Sequence, residues 1–163
     1  MISGRPGTGK TTLAKALARR RRSCCLRVDA AETALARTSA DVGVRGYAVI
    51  HALADSNFNL GIDVVVDAVN PVPEARVGWL ETADRGGAEL VQVETWPPDQ
   101  VEHRRRVETR IADIPDQQVP SWNDIEAQHW VPWDPKRDGP RTLIETSDSA
   151  RALAAILAVT NEP

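Results

Sequence analysis

The chain is poor in several things, and each shortage excludes something. Cysteine occurs only as Cys24 and Cys25, adjacent to each other and in an apolar context. Neighbouring cysteines are poorly placed to pair, so no disulfide framework is expected; they read as core residues of a strand, and the setting expected is reducing and cytoplasmic. No apolar run is long enough to cross a membrane, and no signal or transit pattern precedes the first motif. Internal repeats and low-complexity segments are missing. The net charge of −3 gives no bulk attraction to nucleic acid or an anionic membrane. Lysine stands only at positions 10, 15 and 136, against a large majority of arginines. The rest is ordinary: 163 residues, 42% hydrophobic and 26% charged, fit one globular domain spanning 1–163 with a real core.

One of the scarce lysines falls in a motif. Gly4-Arg5-Pro6-Gly7-Thr8-Gly9-Lys10-Thr11 fits G-x-x-x-x-G-K-[ST], a phosphate-binding loop. Its glycines allow turns that a Cβ would block, and let the backbone approach an anion. Successive N–H groups from Gly4 to Thr12 can then form a nest for phosphates. Lys10 would reach the terminal phosphates and the Thr11 hydroxyl would ligate Mg²⁺. Lys10 is expected to face solvent in the empty loop. A helix over 12–20 would point its positive end at the anion. The arginines at 19–22 fit a helix C-terminus better than a nucleic-acid contact.

Strand and helix patterns alternate along the chain. A strand is expected over 24–28, ending at Asp29, then a helix over 30–37, a loop over 38–43 and a helix over 44–60. His51 in that helix reads as a surface or satisfied core residue. A β-branched run over 62–67 ends in Asp67, as a buried parallel strand should. Asn70-Pro71-Val72-Pro73 interrupts the chain before a helix over 74–85. A strand over 88–93 and a helix from Trp96 to about 112 follow. The stretch 113–139 is broken by prolines and holds Trp122, Trp130 and Trp133, with a helix start at Ser121. A last strand over 141–145 and a last helix over 149–159 close the pattern. The order predicts an α/β, doubly wound, mostly parallel sheet with helices on both faces. Only Met1, Ile2 and Ser3 precede Gly4, so the strand before the loop is expected to be short. In such sheets ligands bind at the strand C-termini, which would gather the loop, Asp29, Asp67 and the Thr95 region.

Asp67 suits a carboxylate that orients Mg²⁺ or its water beside Thr11; otherwise it caps a turn with Asn70. Asp29 could position or accept the proton of a hydroxyl, yet Asp29-Ala30-Ala31-Glu32 also reads as a helix capping box. Arg106 and Arg110 lie one helical turn apart and could clamp transferring phosphoryl oxygens, with Val107 and Ile111 on the packed face; an exposed basic helix is the alternative. His103, Arg104 and Arg105 read as solvated neighbours.

These residues together resemble the small phosphate-loop kinases related to nucleoside monophosphate kinases, chloramphenicol phosphotransferase and the kinase domain of polynucleotide kinase. The resemblance is carried by 4–11, Val28-Asp29, the run 64–70 and Arg106-Val107-Glu108-Thr109-Arg110. The last is similar to the R-[LIV]-x-x-R that opens the lid in monophosphate kinases. The resemblance implies a five-stranded sheet, ATP with Mg²⁺, a lid at about 106–133, and an acceptor pocket between Asp29 and the helix over 44–60. Catalysis would rest on Lys10, Asp29, Arg106 and Arg110, transferring the terminal phosphoryl group to a hydroxyl of a small-molecule or nucleotide-like acceptor. Polynucleotide kinases carry a second acidic residue and an arginine just after the aspartate. Here Ala30, Ala31 and Glu32 stand there, so a nucleic-acid end kinase is the lesser alternative. A nucleotide-binding switch with slow hydrolysis is the other.

Overall fold

The computed structural model describes residues 1–38 and 42–160. Five strands form one sheet in the order β2-β3-β1-β4-β5, and every pairing is parallel. They are β1 (Ile2–Ser3), β2 (Cys24–Arg27), β3 (Val64–Asp67), β4 (Val93–Trp96) and β5 (Thr142–Glu145). Parallel neighbours need crossovers, and the helices supply them on both faces. Period-two alternation splits β3 between two cores: Val65 packs with Leu13, Leu17, Ile144 and Ile156, and Val66 packs with Leu26, Ile50, Ala54 and Trp79. The first core lies under α1 (Lys10–Arg21) and α8 (Ser149–Val159). The second lies under α3 (Arg45–Phe58) and α4 (Pro73–Arg85).

β1 is short yet central. Ile2 pairs with Asp67 on one side and Val93 on the other, and is 1% exposed. Those pairings set where β4 begins. The expected strand over 88–93 is instead Val93–Trp96, because Ile2 and Ser3 pair only with Val93 and Glu94, while β5 starts opposite Val93 at Thr142. Leu90 and Val91 pack against the two cores without joining the ladder.

Other boundaries also move. β2 ends at Arg27, and α2 (Val28–Ala36) starts directly after it. Asp29 is therefore in the first turn of a helix rather than at a strand end. The expected capping box is not formed, since the N-cap position is Arg27 and no side chain caps it. Cys24 is half-buried and Cys25 exposed, so β2 does not bury both cysteines. The expected loop over 38–43 lies partly outside the described residues. The helix expected to reach 112 is shorter: α5 (Gln100–Glu108) is capped at its start by Asp99 and ends at Thr109, whose hydroxyl bonds back to the Arg105 carbonyl. Arg110 thus follows the helix, and Ile111 is exposed, so the two arginines do not share one helix face. α6 (Trp122–Ala127) opens with a capping box between Ser121 and Asp124. A further short helix, α7 (Pro135–Asp138), was not foreseen.

Candidate active site

The glycine-rich loop joins β1 to α1 at the C-terminal edge of the sheet. Gly4 has φ 143°, and a Cβ there would stand 2.5 Å from the Thr95 hydroxyl and 2.7 Å from the Thr95 carbonyl. Gly7 has φ 83°, and a Cβ there would meet Val107 of α5 at 2.6 Å. Both positions need glycine for space as well as for backbone angle. Neutral hydrogen bonds fix the loop from outside. The Thr8 hydroxyl donates to the Arg5 carbonyl at 2.8 Å and lies 2.8 Å from the Thr95 hydroxyl, which donates to the Ser3 carbonyl. His103 Nε2 donates to the Pro6 carbonyl at 2.8 Å. His103 is therefore a buried prop of the loop and not a solvated neighbour. The Thr146 hydroxyl, just past β5, donates to the Thr8 carbonyl at 2.6 Å. The Arg5 side chain leaves the loop: it donates to the Ile125 carbonyl and its guanidinium lies 5.1 Å from the Trp130 ring centroid.

Two cavities open on this edge. One, of about 500 Å³, is bordered by Gly9, Lys10, Thr11, Thr12, Arg106 and Arg110. The other, of about 290 Å³, is bordered by Asp29, Glu32, Tyr47, Asp67, Lys10 and Arg110. Lys10 and Arg110 border both. A third hollow of about 430 Å³ lies at the opposite end of the sheet, ringed by residues such as Leu17, Phe58, Val64 and Leu90, and is bordered by no residue of the loop and by neither Asp29 nor Asp67.

Lys10 is not solvent-facing, as the sequence suggested, but 6% exposed. Its position as first residue of α1 turns it over the loop toward Asp67. Burial pushes its ammonium below the usual lysine range, against the opposing pull of Asp67. Asp67 is 2% exposed, and neither carboxylate oxygen has a hydrogen-bond partner. Burial pushes its carboxyl up, with Lys10 and the nearby Thr11 hydroxyl pulling it back down. The closest ion-pair partner on the strand side is Arg27, at 3.7 Å. Two orphaned, buried oxygens beside the Thr11 hydroxyl fit a hydrated divalent cation, whose charge and water would satisfy them. Among the described residues no group of three His, Cys, Asp or Glu could hold a metal by itself. An ion at Thr11 and Asp67 would therefore depend on phosphate oxygens for the rest of its shell.

The sequence reading missed the organising cation, Arg27. Its guanidinium donates two hydrogen bonds to Asp29, at 3.0 and 2.9 Å, and two to Asp113, at 2.8 and 3.0 Å. Burial opposes its charge, but the hydrogen bonds to Asp113 and Asp29 outweigh that and hold it protonated. Lys15 also pairs with Asp113, and Gln117 donates to Asp29 at 2.7 Å. The stretch 113–117 is thereby strapped across the site. The available signal was a lone arginine inside the apolar run 24–28, at the strand end facing the site.

Arg106 donates to Glu102, to the Thr146 hydroxyl and to the Thr146 carbonyl, each within 3.0 Å. It links α5 to the same threonine that holds the loop. Arg110 approaches Asp29 at 3.9 Å. The tryptophans of the broken stretch pack on arginines: Trp133 sits between Arg76 and Arg141, with centroid distances of 4.9 and 4.8 Å. Trp122 meets His103 edge-on at 5.2 Å. Arg76 is fully buried. It bonds Asp138 at 2.9 Å and the carbonyls of Asn70, Pro71, Val131 and Pro132.

A five-stranded parallel sheet with this order, a phosphate-binding loop after β1 and paired cavities above it defines a phosphate-loop kinase-like fold. A family model described as an AAA domain matches residues 1–128, and the chain belongs to that family. Similar solved structures include a protein of Chloroflexus aurantiacus described as a presumed kinase, 20% identical, with TM-score 0.74 over 96% of this chain and 95% of that one. A gluconokinase of Sinorhizobium meliloti is 16% identical, with TM-score 0.61 over 99% and 95%. The APS kinase CysC of Mycobacterium tuberculosis, solved with AMPPNP and APS, is 18% identical, with TM-score 0.63 over 98% and 95%. At these identities the likeness is one of fold. No curated protein matches the sequence.

Proposed function

We propose that the protein is an ATP-dependent kinase that transfers the terminal phosphoryl group to a hydroxyl of a small-molecule acceptor. The observation that carries this reading is the sharing of Lys10 and Arg110 by two adjoining cavities. The larger has the loop and the start of α1; the smaller has the carboxylates. Two cations at the junction suit a phosphoryl group passing from one to the other. Bound MgATP supplies that group. The loop amides and Lys10 hold phosphate oxygens, and Thr11 and Asp67 hold the metal and its water. Arg106 and Arg110 neutralise charge spreading over the transferred oxygens, and Asp29 orients the accepting hydroxyl. Residues 106–133 act as the lid; the hydrogen bonds of Arg27 to Asp113 and of Gln117 to Asp29 support that reading. A nucleic-acid end is disfavoured, because Asp29 and Glu32 line the acceptor side and repel phosphodiesters.

One observation favours a slow nucleotide switch instead. Asp29 already accepts from Arg27 twice and from Gln117 once, leaving little of its hydrogen-bonding capacity for a substrate. A screen of hydroxyl compounds for stimulated ADP release decides between the two readings. The kinase reading requires at least one compound to raise turnover well above background hydrolysis. With that acceptor, Asp29→Asn should lower transfer roughly 10²–10⁴-fold while leaving the thermal shift by a non-hydrolysable MgATP analogue intact. Uniform background hydrolysis across the screen favours the switch.

A further inference from the structure

The smaller cavity contains a carboxylate that the proposed chemistry does not use. Glu32 stands one helical turn beyond Asp29 on α2 and borders the cavity, half-buried. Among the described residues it makes no ion pair or hydrogen bond. Its stem lies over Gly46 of α3, where a Cβ would stand 2.4 Å from Glu32 Cγ. The glycine thus leaves the space that Glu32 occupies beside the cavity. Burial, and Asp29 after it, push the Glu32 carboxyl above the usual range, so the charge is held at a cost that no partner offsets.

The surroundings repeat the shortage of donors. Gln117 and Gln128 border the same cavity, and each has a buried amide oxygen with no partner. Asp67 adds two more orphaned oxygens. The cations of the lining, Lys10 and Arg110, also face the phosphate side. Tyr47 offers a hydroxyl hydrogen; its oxygen accepts from the Asn70 amide, and burial pushes its pKa to about 12, so it stays protonated. The cavity therefore offers several acceptors, a few donors, and an excess of negative charge away from the loop.

We propose that this cavity selects an amino-bearing polyhydroxyl compound, whose ammonium pairs with Glu32 while a hydroxyl of the same molecule lies between Asp29 and Lys10. The inference rests on the kinase reading above and names the acceptor class for it. An amine supplies the hydrogens that Glu32 and the two amide oxygens lack. A carboxylate or phosphate on the acceptor would face Glu32 and Asp29 and be rejected, although the phosphate side of the site is cationic. In this role Glu32 determines specificity and takes no part in the transfer.

Three matched six-carbon probes test the proposal: glucosamine, glucose and gluconate. Each is assayed for binding by thermal shift in the presence of a MgATP analogue, and for transfer by ADP release with MgATP. Glucosamine should be preferred over glucose by about ten- to a hundredfold, the range of a hydrogen bond to a charged group, and gluconate should be the poorest. Glu32→Gln should erase the preference for glucosamine and leave glucose and the analogue-induced shift unchanged. Gly46→Ala, which displaces the Glu32 stem, should do the same if Glu32→Gln folds poorly. Preference for glucose or gluconate, or a glucosamine preference that survives both variants, overturns the amine pocket and keeps the kinase. No shift with any probe while the analogue still binds also overturns it. Glu32-dependent binding of glucosamine without any transfer keeps the pocket and counts against the kinase.

Discussion

The glycine-rich loop and the stretch 113–138 that follows α5 are held by different forces. Around the loop the contacts are neutral and buried: Thr8 with Thr95, Thr95 with Ser3, His103 with Pro6, Thr146 with Thr8. Across the stretch 113–138 the contacts are ion pairs and arginine–aromatic stacks: Arg27 and Lys15 with Asp113, and Arg76 with Asp138, Trp133 and Trp130. Neutral bonds in a dry frame keep one geometry, as a nest for phosphates requires. Partly exposed ion pairs can exchange for water at little cost, which suits a segment that must admit a substrate. Arg76 is the exception among these pairs, since it and Asp138 are wholly buried and anchor the far end of the broken stretch.

Breaking that anchor should have the largest effect. Arg76→Met leaves the buried carbonyls of Asn70 and Val131 without their donor and takes one donor from Asp138, which keeps Arg137 and the Asp134 amide. The expected loss is about 2–5 kcal/mol in urea denaturation, from two buried carbonyls left unsatisfied at about 1–3 kcal/mol each. A loss under about 1 kcal/mol would mean that the anchor does not hold the stretch. Lys10→Met attacks the other side without touching its frame. Transfer should fall by about 10²–10³-fold and the MgATP-analogue shift should vanish. The nucleotide-free protein should lose far less stability than Arg76→Met does, because the Lys10 charge is already disfavoured by burial. A normal analogue shift in Lys10→Met would remove Lys10 from the phosphate site.

The smallest effect is one of pH, and it should appear only on the ion-paired side. Hydrogen bonds from Arg27, and after burial from Lys15, hold the Asp113 carboxyl well below the ordinary aspartate value of 3.8. A depressed carboxyl gives stability that is fully present above 3.8 and is lost as pH falls through its lower folded value. Amide hydrogen exchange across 113–117, corrected for intrinsic rates, should stay protected from pH 7 to about pH 4 and open below that. Arg27→Met should open the segment at every pH, while loop amides of 4–12 keep their protection. Equal loss of protection in both regions would erase the distinction between them.

The same division governs what could be read from the sequence. The loop is contiguous, its glycines are dictated by local backbone angles, and its identity was legible. So were Asp67, placed by an uninterrupted β-branched run, and α8, whose bounds match the expectation. Lys10 was legible as part of the motif but its burial was not, because its neighbours include Asp67 of β3 and Arg110 after α5. β4 was shifted because its register is set by two residues of β1 and by β5, and not by its own apolar pattern. The Arg27–Asp113 and Arg76–Asp138 pairs left almost no local trace, since their members lie 86 and 62 residues apart. Asp29 was read at a strand end, with a helix cap as the alternative, because the turn that starts α2 falls at Arg27, two residues earlier than the side-chain pattern suggests.

Arg76 also fixes the order in which the protein can mature on the ribosome. Its guanidinium is enclosed by carbonyls at 131 and 132 and by Asp138, none of which exists when α4 emerges. The core beneath α1 waits longer still, since Ile144, Ala152 and Ile156 complete the cluster begun by Ile2, Leu13 and Leu17. A nascent chain halted after α6 would carry a cation still open to water and an uncovered apolar face side by side. The glycine-rich loop and α1 are translated well before α8, yet the core beneath them closes only when α8 has been made.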